Sequence, residues 1–278
     1  MNSIERIESY AKLESEAASQ TPGDAAVAGS SWPSRGEIVF KEVFLRYRPS
    51  TPYVLKGLSL TVPAGEKVGI VGRTGAGKSS LLVSLFRLVE VDSGTIMIDG
   101  VDIRGLGLNT LRSRLAIVPQ DPVLFTGTVR YNMDPFDQYT DSQIWSALAT
   151  VSMRGKISSL DSKVTENGSN MSLGERQLMC MGRAILRNAK ILVLDEATAA
   201  IDMATDEVIQ QALRDKCHGR TILTIAHRLN TILDYDKVCV LGEGTVLEYD
   251  SPQSLVANAS SHFASMVRAH HSAHSDAR

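Results

Sequence analysis

The sequence predicts an α/β fold with three parts: a mostly parallel sheet alternating with helices, an antiparallel β layer, and an inserted helical subdomain. Three observations carry this expectation. First, short apolar runs stand at Lys67–Val71, Leu115–Val118, 191–194, Thr221–Ile225 and 238–241. Runs of that length suit strands buried on both faces, as a parallel sheet flanked by helices requires. Second, residues 38–47, 58–62 and 95–99 are β-rich and separated by turn residues, the pattern of antiparallel neighbours. Third, the alternation breaks between about 121 and 181. There Thr140-Asp141-Ser142-Gln143 forms a capping box ahead of Ile144, Leu148 and Val151 at helical spacing.

Bulk composition agrees with a packed globule. The chain has 278 residues, 43% of them apolar and 22% charged, which is enough to bury a core. A net charge of −2 gives no electrostatic reason to expect a nucleic-acid partner. Cys180, Cys217 and Cys239 lack CxxC spacing and read as free thiols in a reducing cytosol. No run of about 18 apolar residues could span a bilayer, and no secretory signal opens the chain. The chain as given is therefore expected to be soluble.

Three regions are expected along the chain. Residues 1–36 read as an N-terminal linker helix followed by a flexible segment. Ile4, Ile7, Tyr10 and Leu13 repeat at helical spacing, Asn2 with Glu5 could form a capping box, and 21–35 is rich in Ser, Ala, Gly and Pro. Residues 37–268 form the globular domain, with its helical subdomain at about 121–181. Residues 269–278 are expected as a disordered tail, and His270, His271 and His274 there as no metal site.

The chemistry is carried by a few motifs. Gly72-Arg73-Thr74-Gly75-Ala76-Gly77-Lys78-Ser79, continued by Ser80, follows one predicted strand and opens a predicted helix at 79–88. This is the context a phosphate-binding loop requires. Its glycines let backbone amides converge on phosphate oxygens, and the helix N-terminus adds favourable partial charge. Lys78 would neutralise β- and γ-phosphates, and Ser79 would hold Mg²⁺. Asp195 closes the run at 191–194, at the strand end where α/β sheets bind ligands. It is expected to reach Mg²⁺ through water, while Glu196 orients or deprotonates the attacking water. No Asn-Lys-x-Asp guanine-reading motif occurs. Met171-Ser172-Leu173-Gly174-Glu175-Arg176-Gln177 and Thr224-Ile225-Ala226-His227-Arg228 have no role in phosphate-loop kinases.

Over residues 37–255 these motifs together resemble the nucleotide-binding domain of ATP-binding cassette (ABC) transporters. The resemblance implies the ABC ATPase fold and an ATPase that binds ATP with Mg²⁺. It places Tyr47 on adenine, Gln120 on Mg²⁺ and the attacking water, and His227 as the γ-phosphate switch. The run Ala199-Ala200-Ile201-Asp202 resembles the loop that crosses to a partner domain, and Asp202 also reads as a helix N-cap. Residues 117–130 and Asn132-Met133-Asp134-Pro135-Phe136 look like the multidrug-resistance-associated (C) subfamily. Ser3-Ile4-Glu5-Arg6-Ile7 with Tyr10, and intact Glu196, look like its second, C-terminal nucleotide-binding domain. In that family two such domains meet head to tail. Lys78, Asp195, Glu196 and His227 would then serve one ATP, and Ser172 and Gly174 the other. The implied partners are a second nucleotide-binding domain and transmembrane domains, the latter touched through residues 125–132. The implied setting is the cytoplasmic face of a membrane and the implied work is export.

The turn departs from the family's Leu-Ser-Gly-Gly-Gln at Met171, Leu173 and Glu175. Glu175 adds a carboxylate near bound triphosphate, so the composite site using this turn is expected to be the weaker one unless Arg176 or Mg²⁺ screens the charge. Two other readings stay open on the residues alone. One is a soluble cassette ATPase, disfavoured by the 125–136 segment and the lack of a tandem copy. The other is a module that closes on ATP without turnover, disfavoured by Glu196.

Overall fold

The computed structural model describes residues 3–12, 15–195, 202–226 and 228–275. Helix α1 (Ser3–Ala11) is exposed, with Ile4, Ile7 and Tyr10 each about 70% accessible. Strand β1 (Ile38–Leu45) pairs antiparallel with β2 (Leu55–Val62). The chain then crosses to the central sheet through β3 (Lys67–Val71) and helix α2 (Lys78–Leu85). It returns as β4 (Ser93–Ile98), which pairs with β1 and carries the short β5 (Val101–Asp102). These four strands are the expected antiparallel layer.

Helix α3 (Leu108–Ser113) leads into β6 (Leu115–Val118), the far edge of the central sheet. The inserted subdomain follows. It comprises β7 (Gly127–Thr128), α4 (Val129–Met133), α5 (Asp141–Thr150), β8 (Lys163–Val164) and α6 (Leu173–Arg187). The capping box at Thr140 and Gln143 forms as the sequence predicts. Strand β9 (Ile191–Asp195), helix α7 (Met203–Lys216) and strand β10 (Thr221–Ile225) refill the sheet's centre. Strands β11 (Lys237–Gly242) and β12 (Thr245–Asp250) close its other edge, and α8 (Pro252–Ala257) and α9 (His262–Ser275) cover it.

The central sheet runs β12-β11-β3-β10-β9-β6. All pairings are parallel except β11 with β12. Ile70 of β3 and Asp195 of β9 both stand opposite Ile225 of β10, and Leu194 stands opposite Val118 of β6. All four strands therefore end on one edge, and the loops that follow them emerge together. Burial explains the apolar runs. Ile191 and Val193 face the core shared with the antiparallel layer and α2, whereas Leu192 and Leu194 face the core of the helical subdomain. The two-residue period of a strand thus feeds both faces. Each such side chain contributes about 1.5–3 kcal/mol on burial.

Two terminal expectations need correction. Much of the segment expected to be flexible packs on the domain. Trp32 and Val27 are buried, and the Trp32 indole N–H donates to the Ile98 carbonyl at 3.0 Å. Asp24 accepts from the Gly107 N–H, Leu108 N–H donates to Ala18, and Arg112 pairs with Glu16 at 2.9 Å. A Ser/Ala/Gly-rich strap can bind in this way because its few anchoring side chains fill sites made by residues 98–112. At the other end, α9 runs to Ser275, so residues 269–275 of the segment expected as a disordered tail are helical. Glu248 caps its start by accepting the His262 and Phe263 N–H groups, and Phe263 is fully buried. Residues 269–275 contain no Gly or Pro to interrupt the helix. Among the described residues no helix is long and apolar enough to cross a membrane.

Candidate functional site

The phosphate loop joins β3 to α2 at the common strand edge. Its geometry depends on two glycines. A Cβ on Gly72 would lie 2.4 Å from the Leu241 carbonyl oxygen, and Gly77 has φ 101° where it N-caps α2. An L side chain is disfavoured at both. Because Gly77 offers no side-chain cap, the first-turn amides of α2 remain available to an anion. Lys78 is buried, and its ammonium donates to the carbonyls of Gly72 at 2.8 Å and Arg73 at 3.3 Å. The loop thereby carries its own counter-charge.

Thr74, Gly75, Gly77, Lys78, Ser79, Ser80 and Gln120 line one hollow of about 350 Å³, with Val54 at its rim. This gathers most of the expected loop residues with Gln120, which follows β6 across the sheet. Gly72, Arg73 and Ala76 belong to the loop but line a different, larger cavity of about 510 Å³ behind it, toward β11 and α9. Lys78, Ser79 and Gln120, the residues expected to meet phosphate and Mg²⁺, converge in the smaller hollow. Tyr47 is half exposed, and its hydroxyl shares a hydrogen bond of 2.9 Å with Ser80. Its ring therefore stands beside the loop but outside the hollow. Asp195 ends β9 as expected. Glu196 and His227, and Ala199 to Ile201 of the crossing loop, lie outside the described residues. Asp202 is the N-cap of α7, accepting from the Thr205 N–H at 2.9 Å.

Ser172 and Gly174 line no part of that hollow. They open α6 on the helical subdomain, where Ser172 is the N-cap of a complete capping box. The Glu175 N–H donates to Ser172 Oγ at 3.2 Å, and the Ser172 N–H donates to the Glu175 carboxylate at 2.9 Å. A Cβ on Gly174 would meet Thr205 Oγ1 at 3.0 Å, so its bareness lets α6 approach α7. The Ser172 amide, and after it Lys156, hold the Glu175 carboxyl below its ordinary pKa. Arg176, one of the two cations that could screen Glu175, donates to the Asn167 carbonyl at 3.2 Å. Lys156 takes that place, 3.1 Å from Glu175.

Sequence reasoning missed several side chains that support the site. Gln177 is 1% exposed and donates to the Pro119 carbonyl at 3.0 Å, tying α6 to the residue before Gln120. A signal existed, because Gln177 shares the buried stripe of α6 with Cys180, Met181 and Ala184. A polar residue in such a stripe needs a partner. Asn132, expected at the edge of a contact surface, is buried and braces that surface from within. Its amide exchanges hydrogen bonds with the backbone of Phe125 at 2.7 and 2.8 Å, and Arg183 donates to its carbonyl and side-chain oxygens. Val123, Phe125 and Tyr131 remain about half exposed around it.

Comparison with known proteins agrees with this geometry. A family model described as "ABC transporter" matches residues 55–199. The chain is 54% identical to "ABC transporter C family member 8" of Dictyostelium discoideum over 96% of its own length, and 52% identical to "ATP-binding cassette sub-family C member 3" of Homo sapiens over 91%. In each case it spans 17% of the relative. Among solved structures, a bacterial Atm1-family ABC exporter with ATP bound superposes with a TM-score of 0.80 at 35% identity, covering 85% of this chain and 42% of that one. The chain belongs to the ABC transporter family, and within it to the nucleotide-binding domains of the C (multidrug-resistance-associated) subfamily.

Proposed function

We propose that the chain binds and hydrolyses ATP as one of two nucleotide-binding domains that meet head to tail and power export by a membrane transporter. The carrying observation is the division of the site's parts. The phosphate loop, Gln120 and Asp195 lie along one sheet edge, while Ser172 and Gly174 open a different helix and line no part of the same hollow. A chain that bound ATP alone would have no use for the second set, and a partner's phosphate loop would. The similarity of the segment from Ser3 to Tyr10 and the intact Glu196 favour the second, C-terminal domain of such a pair.

The hollow suits a triphosphate. Uncapped amides of α2, the Lys78 ammonium and the Ser79 hydroxyl line it or face it. Ser79, Gln120 and Asp195 offer the oxygen donors that Mg²⁺ prefers, and when bound the ion would neutralise charge on the β- and γ-phosphates. In this reading Lys78 holds the γ-phosphate, Tyr47 stacks on adenine, Gln120 positions the attacking water and Glu196 takes its proton. His227 contacts the γ-phosphate and reports its loss. The half-exposed Val123, Phe125 and Tyr131, braced by Asn132, form the surface toward the transmembrane domains at the cytoplasmic face. ATP favours the closed pair, and hydrolysis releases it.

The test is Glu196→Gln in the full-length protein. Steady-state phosphate release should fall by about 10²-fold or more while ATP is still retained. Phosphate release at the wild-type rate would reject hydrolysis through Glu196.

A further inference from the structure

We propose that Lys156 is a positioning residue for the reaction: by pairing with Glu175 it lets a carboxylate stand in the Ser172 turn without facing the triphosphate held by the partner domain. This inference rests on the head-to-tail reading above. It concerns how this chain's turn meets an anion although one of its members is itself an anion.

The contacts around Glu175 account for both carboxylate oxygens. One accepts from the Ser172 N–H at 2.9 Å, and the other accepts from the Lys156 ammonium at 3.1 Å. Lys156 arrives from the loop after α5, 19 residues upstream. Arg176, next to Glu175 in sequence, is committed to the Asn167 carbonyl and does not serve as the counter-ion. Ser172 Oγ accepts the Glu175 N–H. That bond occupies one of its two lone pairs and leaves its proton to donate, as contact with a phosphate oxygen needs. The capping arrangement aims the hydroxyl, and the ion pair removes the charge that would oppose its use.

Stability does not explain the pair. The side chains of Lys156 and Glu175 are 57% and 26% exposed, and exposed ion pairs contribute little to folding. A neutral glutamine at 175 could accept the same Ser172 N–H without any cation. Lys156 therefore matters because residue 175 is an acid. Its loss should be felt by a third charge brought close to the turn, the bound triphosphate, more than by the fold.

The experiment measures steady-state phosphate release against ATP concentration in the full-length protein, for wild type, Lys156→Met, Glu175→Gln and the double variant. Lys156→Met should raise the KM for ATP by about five- to tenfold with kcat within about twofold, and the increase should shrink at high ionic strength. Glu175→Gln should leave KM unchanged or lower. The double variant should return to within about twofold of wild type, because removing the acid removes the need for the cation. Lys156→Arg should behave as wild type. Matching thermal midpoints across the set exclude a folding effect. A wild-type KM in Lys156→Met, or a double variant as impaired as Lys156→Met, overturns the inference. If wild type itself releases phosphate no faster than Lys78→Ala, the ATPase reading fails and takes the inference with it.

Discussion

Two helix N-termini of this chain are built in opposite ways, and in the proposed function each serves a different ATP. Helix α2 opens from Gly77 with no side chain capping it, and its amides stay open to phosphate. Helix α6 opens from Ser172 with a complete capping box, so the Ser172 and Glu175 amides are already satisfied. The first end is a main-chain cradle with no side chain of its own competing for an anion. The second has two of its four first amides, those of Ser172 and Glu175, satisfied by its own cap. An uncapped cradle favours holding ligand. A partly satisfied end can meet and leave a ligand at smaller cost, which suits the contact made and broken in the proposed cycle.

This contrast can be broken most severely at the cradle. Gly72→Val would drive side-chain atoms into the Leu241 carbonyl, where even a Cβ lies at 2.4 Å. We expect a loss of about 1–3 kcal/mol in stability together with loss of ATP binding, read by thermal melting and nucleotide titration. Normal ATP affinity in this variant would show that the loop does not need its close approach to β11. An intermediate effect is expected at the satisfied end. Ser172→Ala removes the cap, costing about 1 kcal/mol. It should slow phosphate release in the assembled protein while leaving ATP binding at this chain's own phosphate loop unchanged. Equal damage to both would mean that the two ends are not separate in function.

The smallest effect concerns pH. The Glu175 carboxyl lies below its ordinary value of 4.5 because of the Ser172 amide and Lys156. Its contribution is therefore fully present above about 4.5 and is lost as pH falls through the folded-state value. Thermal melts of wild type and Glu175→Gln should differ by a few tenths of a kcal/mol, roughly constant from pH 7 to 5, and converge only as pH falls below the lowered folded-state value. A gap that widens on acidification would contradict the assigned contacts.

The cradle was legible in the sequence and the satisfied end was only half so. Strands such as Lys67–Val71 and Thr221–Ile225 announce themselves because burial on both faces leaves an unbroken apolar run. The glycines of the phosphate loop do so because close backbone approach excludes other residues. The residues Ser172 and Gly174 could be named, but their surroundings could not. Lys156 meets Glu175 through a fold-dependent crossing that no local periodicity encodes. Arg176 is adjacent to Glu175 in sequence, but adjacent residues on a helix do not face each other, and it bonds to Asn167 instead. The strap was misread for a similar reason. Its composition is that of a linker, and the sites that bind Trp32 and Asp24 belong to residues 98–107.

That strap has a consequence for how the chain is made. Glu16 and Asp24 bond to partners 96 and 83 residues later in the sequence. At a synthesis rate of about 5–20 residues per second, the strap leaves the ribosome roughly 4–19 s before its docking site exists. For that interval Trp32 has no core to enter. The strap, translated before the residues that bind it, is thus among the later segments of the domain to dock, and completion of α3 is the earliest moment at which it can do so.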